Sequence, residues 1–228
     1  TTRELEDVLD RAEMAAREQG GIRGILLDLR DNPGGLLDQA VSVADAFLSG
    51  GVIVTTRGRD DRELSKATAR SSGTRKEWPM VVLVNGYTAS AAEIVAGALH
   101  DHGRAVIVGT RTFGKGSVQN VIELPDASAL KLTVARYYTP SGRSIQAQGI
   151  DPDIMIEQIT ETPEGSEAGL SEATLERHLE NETGGAQGGP SSSRDERRSG
   201  ASGSAGRPFK GDVQARMAYQ TLRAITFD

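Results

Sequence analysis

The sequence predicts an α/β fold built around a largely parallel β-sheet that is covered by helices. Short, nearly continuous apolar runs alternate with segments whose apolar residues recur at helical spacing. Turn-forming residues separate these segments, most clearly in the run Asn32-Pro33-Gly34-Gly35. The alternation continues to about Ile156, and a chain of 228 residues is long enough to bury a sizeable core. We therefore expect one α/β core over residues 1–160.

Local patterns predict the elements of the first half. Thr1 and Glu4 fit a capping box, and the apolar residues that follow at helical spacing up to Gly20 predict an amphipathic helix. Residues 22–29 form an apolar run typical of a strand buried on both faces. After the turn at 30–35, the pattern predicts a helix over 36–48 and a strand over 52–56. The polar stretch 57–77 carries no clear pattern and is left unassigned.

The second half of the core repeats the alternation. It predicts a buried strand over 80–84, a helix over 91–100, and strands over 105–108, 117–124 and 130–137. Because strands and helices follow one another in turn, most neighbouring strands are expected to run parallel.

Beyond the core the composition changes. Of the 24 residues 183–206, 14 are Gly, Ser or Pro, and none is Val, Ile, Leu, Met or aromatic. Such a stretch buries too little apolar surface to offset its ordering entropy, so we interpret it as a disordered linker. Residues 161–182 are predicted to be a helical extension, with a helix over 170–179. Residues 207–228 are predicted to hold a short helix that folds back on the core.

Composition excludes several classes of function. The 26 Lys and Arg against 32 Asp and Glu give a net charge of −6, and no basic run is interleaved with aromatic residues, so nucleic acid is not an expected partner. The absence of cysteine excludes a disulfide framework, a cysteine nucleophile and a thiolate metal site. No apolar run approaches the roughly 20 residues of a membrane span. The chain opens in a helix without an initiator methionine, which suggests a piece of a longer precursor.

Ser90 is a candidate nucleophile because it lies where the strand at 80–84 turns into the helix at 91–100. A serine hydroxyl becomes nucleophilic when a neighbouring base removes its proton, and a helix N-terminus offers N–H groups and a positive dipole end to an oxyanion. Ser90 followed by Glu93 also fits a capping box, so a purely structural role stays open here. The flanking residues do not form the Gly-x-Ser-x-Gly elbow of α/β-hydrolases.

The turn Asn32-Pro33-Gly34-Gly35, which we call the glycine turn, is a candidate oxyanion hole. Glycine lets the backbone approach a ligand closely, and ligands of α/β sheets bind beyond the ends of the strands. The N–H of Ala91 would be one donor, and the N–H of Gly34 or Gly35 would be the other. The alternative is a tight strand-to-helix turn that binds no ligand.

Lys115 is a candidate general base that would replace histidine. It lies between Gly114 and Gly116, which leave space around its side chain. A solvated lysine amine is protonated near neutral pH, so this role requires a desolvated pocket. Gln119 is a suitable orienting partner because its amide accepts a hydrogen bond from the amine without adding negative charge. The alternatives are a solvated loop lysine and a polar residue on a half-exposed strand.

Other ionisable residues point to structural roles. His100 and His102 flank Asp101 at a helix end, and His178 lies in the charged C-terminal region; none has the spacing of a zinc motif. No metal or cofactor is expected. Asp28 and Asp31 would make an acid pair, but Arg30 between them is a ready salt-bridge partner.

Four motifs in order resemble the C-terminal processing peptidases, also called tail-specific proteases, of the S41 serine peptidase family. The similarity covers roughly residues 1–156. The motifs are GILLDLRDNPGG (24–35), VNGYTASAAEI (84–94), GTRTFGKGSVQ (109–119) and YTPSGRSIQ (138–146).

This resemblance implies a ClpP/crotonase-like αβ core and a serine endopeptidase that cuts protein substrates near their C-termini. It implies that Ser90 is the nucleophile, Lys115 the general base and Gln119 the residue that orients the lysine. It assigns the oxyanion hole to Ala91 with Gly34 or Gly35. It also implies a periplasmic or cell-envelope location and no cofactor, and leaves homo-oligomer formation open.

Two features depart from the family pattern. The PDZ domain that usually precedes the first helix of the core and binds substrate C-termini is not in this sequence, and the Gly/Ser-rich tail has no counterpart in the motifs. A non-catalytic peptide-binding or scaffolding fragment is therefore one alternative. A crotonase-like acyl-CoA enzyme, which shares the predicted core, is the other.

Overall fold

A computed structural model describes residues 1–75, 78–126, 128–157, 172, 209 and 211–226. Within these ranges the chain forms four α-helices and two four-stranded sheets. The helices are α1 (Thr2–Ala16), α2 (Leu37–Asp45), α3 (Ala91–Asp101) and α4 (Val213–Thr226). The strands are β1 (Ile25–Asp28), β2 (Val52–Arg57), β3 (Glu63–Thr68), β4 (Met80–Val84), β5 (Val106–Gly109), β6 (Ser117–Glu123), β7 (Ala129–Tyr138) and β8 (Ile154–Met155).

The first sheet is parallel throughout and has the strand order β1-β4-β5-β8. All five residues of β4 are buried, which explains why this strand reads as a continuous apolar run. The carboxyl ends of parallel strands meet at one edge of a sheet. The loops that follow β1, β4 and β5 therefore come together, and they contain Gly34, Ser90 and Lys115.

The second sheet is antiparallel, with the order β3-β2-β7-β6. Strands β2, β6 and β7 lie where the sequence predicts strands. β3 lies in the polar stretch that the sequence leaves unassigned, because five of its six side chains are exposed and it is a strand through its pairing with β2. A register shift between Val118 and Gln119 marks a bulge in β6.

The main core lies between the helices and the parallel sheet. Every residue of α3 from Ala91 to Leu99 is buried, and α2 packs beside it. The predicted helix over 36–48 ends at Asp45, since the Phe47 N–H donates to the Ala44 carbonyl in a tighter turn. Phe47 and Leu48 nevertheless remain in the core.

Helix α4 covers the opposite face of the parallel sheet. Its buried residues Ala215, Ala218 and Leu222 form a second apolar cluster with β-strand residues, namely Val81, Leu83 and Val108. The helix lies in the segment 207–228, where the sequence predicts one. The helical extension at 161–182, apart from Glu172, and the linker predicted at 183–206 lie outside the described residues. No helix in the described ranges is both long enough and apolar enough to cross a membrane.

Candidate active site

Ser90 lies at a strained turn between β4 and α3. Its backbone has φ 56° and ψ −119°, a conformation that a non-glycine residue adopts only when the surroundings enforce it. Hydrogen bonds within the turn and to the neighbouring strand enforce it. The Ser90 N–H donates to Glu93 Oε2 at 2.8 Å, and Thr88 Oγ1, two residues before it, donates to the Leu29 carbonyl at 2.7 Å. The strand–helix junction predicted from sequence is therefore a sharp elbow that presents a half-buried serine.

The glycine turn lies directly against this elbow. Gly34 has φ +99°, and a Cβ atom at this position would lie 2.7 Å from the Ala89 carbonyl oxygen and 2.8 Å from the Ala91 nitrogen. The Ala89 N–H donates to the Asn32 carbonyl at 2.9 Å, which fixes the contact. Only glycine fits here, both for its backbone angle and for its lack of a side chain.

The two glycines differ in what their N–H groups do. The Gly34 N–H donates to Asn32 Oδ1 at 2.9 Å, whereas within the described ranges the N–H groups of Gly35 and Ala91 have no hydrogen-bond partner. An N–H that is already bonded is less available to an oxyanion. The geometry therefore favours Gly35 over Gly34 as the second donor, a choice that the sequence leaves open.

A largely apolar pocket of about 380 Å³ opens beside these N–H groups. Its walls come from α1, β1, α2, α3 and the glycine turn. The lining residues are Thr1, Leu5, Leu27, Leu29, Asn32, Gly34, Gly35, Leu36, Gln39, Ala40, Val43, Ala91, Ala92 and Val95. Among the described residues no charged side chain lines it, so a ligand on this side would meet mostly apolar groups.

Lys115 is held near the elbow by its backbone. In the loop after β5, the Phe113 N–H donates to the Thr88 carbonyl at 3.0 Å, and the Lys115 N–H donates to Glu93 Oε2 at 2.8 Å. Gly116 is closely packed, since a Cβ there would lie 2.3 Å from the Gln146 nitrogen. The glycines around Lys115 thus allow tight backbone packing as well as space, and the lysine is half-buried.

The sequence patterns did not predict the role of Glu93 at the site. Its side chain is fully buried, and its carboxylate accepts hydrogen bonds from Ser90 N, Thr112 Oγ1, Gly114 N and Lys115 N. Burial raises the pKa of Glu93, while these hydrogen bonds act in the opposite direction. The sequence predicts only the capping contact to Ser90. The available signal was a charged residue inside the apolar run of α3.

Gln119 is not joined to Lys115. It is exposed on β6, just after the bulge that re-aims the side chains of this strand, and no hydrogen bond links the two side chains in the described part of the chain. The structure therefore brings the Ser90 elbow, the glycine turn and the Lys115 loop together, and does not join the Gln119 side chain to them.

The loop that carries the glycines is anchored at its start. The Arg30 guanidinium donates to Asp28 Oδ2 and to Asp212 Oδ2, each at 2.7 Å, so it joins β1 to the segment just before α4. The interpretation of Asp28 as a structural partner of Arg30 is confirmed. Asp31 instead accepts a hydrogen bond from the Asn85 side chain at 2.9 Å.

The histidines within the described ranges lie away from the elbow. His100 is in the last turn of α3, about 15 Å along the helix axis from Ser90, and its Nε2 lies 3.1 Å from Asp153 Oδ1. His102 donates to the Val52 carbonyl at 2.7 Å. His178 is outside the described residues. Among the residues described, no three His, Asp or Glu side chains are grouped as metal ligands.

Comparisons with known sequences single out one family. The family model described as "Peptidase family S41" matches residues 1–156. The carboxy-terminal-processing protease of Bartonella bacilliformis is 49% identical over 203 residues, which are 89% of this chain and 44% of the relative. The carboxyl-terminal-processing protease of Synechocystis sp. is 45% identical over 141 residues, 62% of this chain and 33% of the relative. The chain thus spans less than half the length of these curated relatives.

Solved structures give the same picture. The photosystem II D1 C-terminal processing protease aligns with a TM-score of 0.58 and 40% identity over 63% of this chain and 36% of its own. Mature CPAF aligns with a TM-score of 0.54 over 68% of this chain and 42% of its own. Because the two sequences are only 15% identical, this alignment supports the fold and nothing further. The predicted α/β fold with a parallel sheet is confirmed.

Proposed function

The chain belongs to peptidase family S41, as its motifs predict, and from this membership we propose that it forms the catalytic core of a serine endopeptidase of the C-terminal processing type. One observation carries the proposal. The glycine turn is packed against the Ser90 elbow, which sets the free N–H groups of Gly35 and Ala91 beside a strained serine at a helix N-terminus. Donors held in this way suit the oxyanion of acyl transfer.

The proposed reaction begins when neutral Lys115 takes the hydroxyl proton of Ser90. Ser90 Oγ then attacks the peptide carbonyl carbon, and the resulting oxyanion accepts hydrogen bonds from the N–H groups of Gly35 and Ala91. The C–N bond breaks as Lys115 returns the proton to the leaving amine. An ester between Ser90 and the substrate acyl group remains.

Water completes the proposed cycle. Lys115 takes a proton from the water molecule as its oxygen attacks the ester carbonyl, and the same N–H groups bind the second oxyanion. The C–O bond to Ser90 then breaks, Ser90 regains a proton, and the shortened substrate leaves as a carboxylate. In this scheme Gln119 moves onto Lys115 when substrate binds, because hydrogen bonds in an empty site are often longer than in the reacting complex.

The substrate class and location extend the proposal. The relatives' names support cleavage near the C-termini of proteins, and they favour peptide hydrolysis over acyl-CoA chemistry and over a non-catalytic peptide-binding role. The family resemblance supports a periplasmic or cell-envelope location. Because less than half of each relative is matched, capture of substrate termini by a further domain is included in the proposal.

The test is hydrolysis of an unstructured protein with an apolar C-terminus by the chain, followed by mass spectrometry. We expect Ser90→Ala and Lys115→Ala to lower the rate at least 100-fold. The matched controls are Ser42→Ala, at a half-buried position of α2, and Lys131→Ala, at an exposed position of β7, which should keep the parent rate. Equal rates in all five proteins, or no hydrolysis by the parent, would overturn the proposal.

A further inference from the structure

A glutamate is unexpected at position 93 of α3, because its carboxylate is buried in an otherwise apolar stretch of the helix. The helix reads AAEIVAGALHD, and Glu93 is the one charged residue in its buried stretch from Ala91 to Leu99. Moving a carboxylate out of water is costly, and an apolar side chain at this position would avoid the cost. Its surroundings must therefore compensate for the lost hydration.

The compensation comes from four donors on two separate segments. Oε1 accepts from Thr112 Oγ1 and from the Gly114 N–H, the latter at 2.8 Å, and Oε2 accepts from the N–H groups of Ser90 and Lys115, both at 2.8 Å. An ionised carboxylate has about four lone-pair sites, so it can satisfy all four donors. A protonated carboxyl would have to give up at least one of them.

Oε2 of Glu93 accepts hydrogen bonds from both of these segments. Because Oε2 is 2.8 Å from both the Ser90 and the Lys115 nitrogens, the two backbone nitrogens lie no further apart than twice that distance. Ser90 and Lys115 are otherwise in different loops, after β4 and after β5. Beside the bond from the Phe113 N–H to the Thr88 carbonyl, this one oxygen atom thus joins the segments that carry the nucleophile and the base at the two residues themselves.

We propose that Glu93 is a positioning residue, which holds the Lys115 loop at the Ser90 elbow through its buried carboxylate. The inference rests on the proposed function, since it concerns the same Ser90–Lys115 pair. A simple helix cap would need only the bond to the Ser90 N–H. The two bonds to Gly114 and Lys115 exceed that need, and catalytic groups lose efficiency when displaced by about 1 Å.

The variant that tests this is Glu93→Gln, with Asp101→Asn as its matched control. Asp101 is also a buried carboxylate of α3, but it lies at the other end of the helix and accepts hydrogen bonds from Ser141 N and Arg143. An amide in place of either carboxylate keeps the shape and turns one acceptor oxygen into a donor, which disrupts the bonds formed there.

The first measurement is amide hydrogen exchange of the whole chain by NMR. In Glu93→Gln, the amides of Gly114 and Lys115 should exchange at least tenfold faster than in the parent. In Asp101→Asn these two should exchange as in the parent, while the Ser141 amide exchanges faster. Unchanged exchange at Gly114 and Lys115 in Glu93→Gln overturns the inference, whether or not the parent hydrolyses peptides.

The second measurement is peptide hydrolysis, which separates positioning from general destabilisation. Glu93→Gln should lower kcat at least tenfold and change KM less than twofold, while Asp101→Asn at equal folded fraction keeps the parent kcat. Faster exchange with an unchanged kcat also overturns the inference. A parent without activity overturns the proposed function instead, and the exchange data still decide whether Glu93 holds the loop.

A second variant covers the case in which Glu93→Gln does not fold. Thr112→Val removes one of the four donors, together with the acceptor of the Ile150 N–H, and leaves the carboxylate and the three N–H groups in place. We expect a smaller loosening, with two- to fivefold faster exchange at Gly114 and Lys115. Exchange equal to that of the parent would count against the carboxylate as the element that holds the loop.

Discussion

Gly34 leaves no room for a side chain between itself and Ser90, since a Cβ at Gly34 would lie 2.8 Å from the Cβ of Ser90. Gly34→Ala should therefore push the glycine turn away from the elbow and separate the two proposed oxyanion donors. We expect a fall in kcat of at least 100-fold, the scale seen when one such donor is lost. Steady-state peptide hydrolysis measures it.

Gly73→Ala is the matched control for this variant. Gly73 has φ +89°, so alanine there suffers similar backbone strain, of about 1 kcal/mol, but a Cβ at Gly73 meets nothing within 4 Å. The two variants should lose comparable stability to strain, and only Gly34→Ala should lose activity. Equal activity in both would contradict the role given to the contact with Ser90.

Asp212→Asn should weaken the attachment of α4 to the loop that carries the glycines. Arg30 is 14% exposed and Asp212 37% exposed, so their ion pair is partly shielded from solvent. We expect a loss of about 1 kcal/mol in the free energy of unfolding, measured by urea denaturation. Asp151→Asn breaks the more exposed pair with Arg111 and should cost less than about 0.5 kcal/mol. Equal losses in the two variants would rule out a special contribution from Arg30.

Asp101 should make stability depend on acid pH. Its burial alone would raise the pKa, but hydrogen bonds from Thr139, Ser141 and Arg143 outweigh burial and hold the pKa at about 2. A lowered pKa stabilises the fold above the ordinary Asp range, and this contribution is lost as pH falls through about 2. The free energy of unfolding of Asp101→Asn should lie about 1 to 2 kcal/mol below the parent at pH 6, with the gap closing towards pH 2. A gap that stays constant over this range would contradict the assignment.

Glu93 should make the free energy of unfolding depend on pH in the direction opposite to that of Asp101. Burial raises its pKa above the ordinary 4.5, with hydrogen bonds from Thr112 and backbone N–H groups as the opposing influence. A raised pKa gives a contribution to stability that is complete below pH 4.5 and is lost as pH rises through the folded-state pKa. The stability of Glu93→Gln relative to the parent should therefore improve as pH rises above 4.5, while its kcat stays low. Urea denaturation at several pH values measures this, and no change in relative stability with pH would contradict it.

The sequence predicts the parts of the fold that depend on local pattern. The apolar run at 80–84 predicts β4 because this strand is buried on both faces, and the spacing of apolar residues predicts α3. β3 was missed because its exposed residues have no periodic pattern, and it forms by pairing with β2.

The features of the site also divide into those that a local sequence pattern predicts and those that it does not. Ser90 and the glycine turn are recognisable because a strained elbow and a close backbone approach need particular residue types in short motifs. The choice of Gly35 over Gly34 depends on the Asn32 side chain, and the link from Glu93 to Lys115 depends on the meeting of two loops. The first depends on the orientation of a side chain only two residues away, and the second on the packing of two separate loops, so neither is visible in a linear pattern.

The docking of α4 has a consequence for biosynthesis. Arg30 and Asp212 are 182 positions apart, and α4 covers Val81, Leu83 and Val108 in the parallel sheet. During translation these residues emerge from the ribosome well before α4 does, so a nascent sheet would present a bare apolar face until the helix arrives. Such a face favours aggregation and chaperone binding. Docking of α4, rather than formation of the sheet, would then be the step that shields this apolar face from self-association.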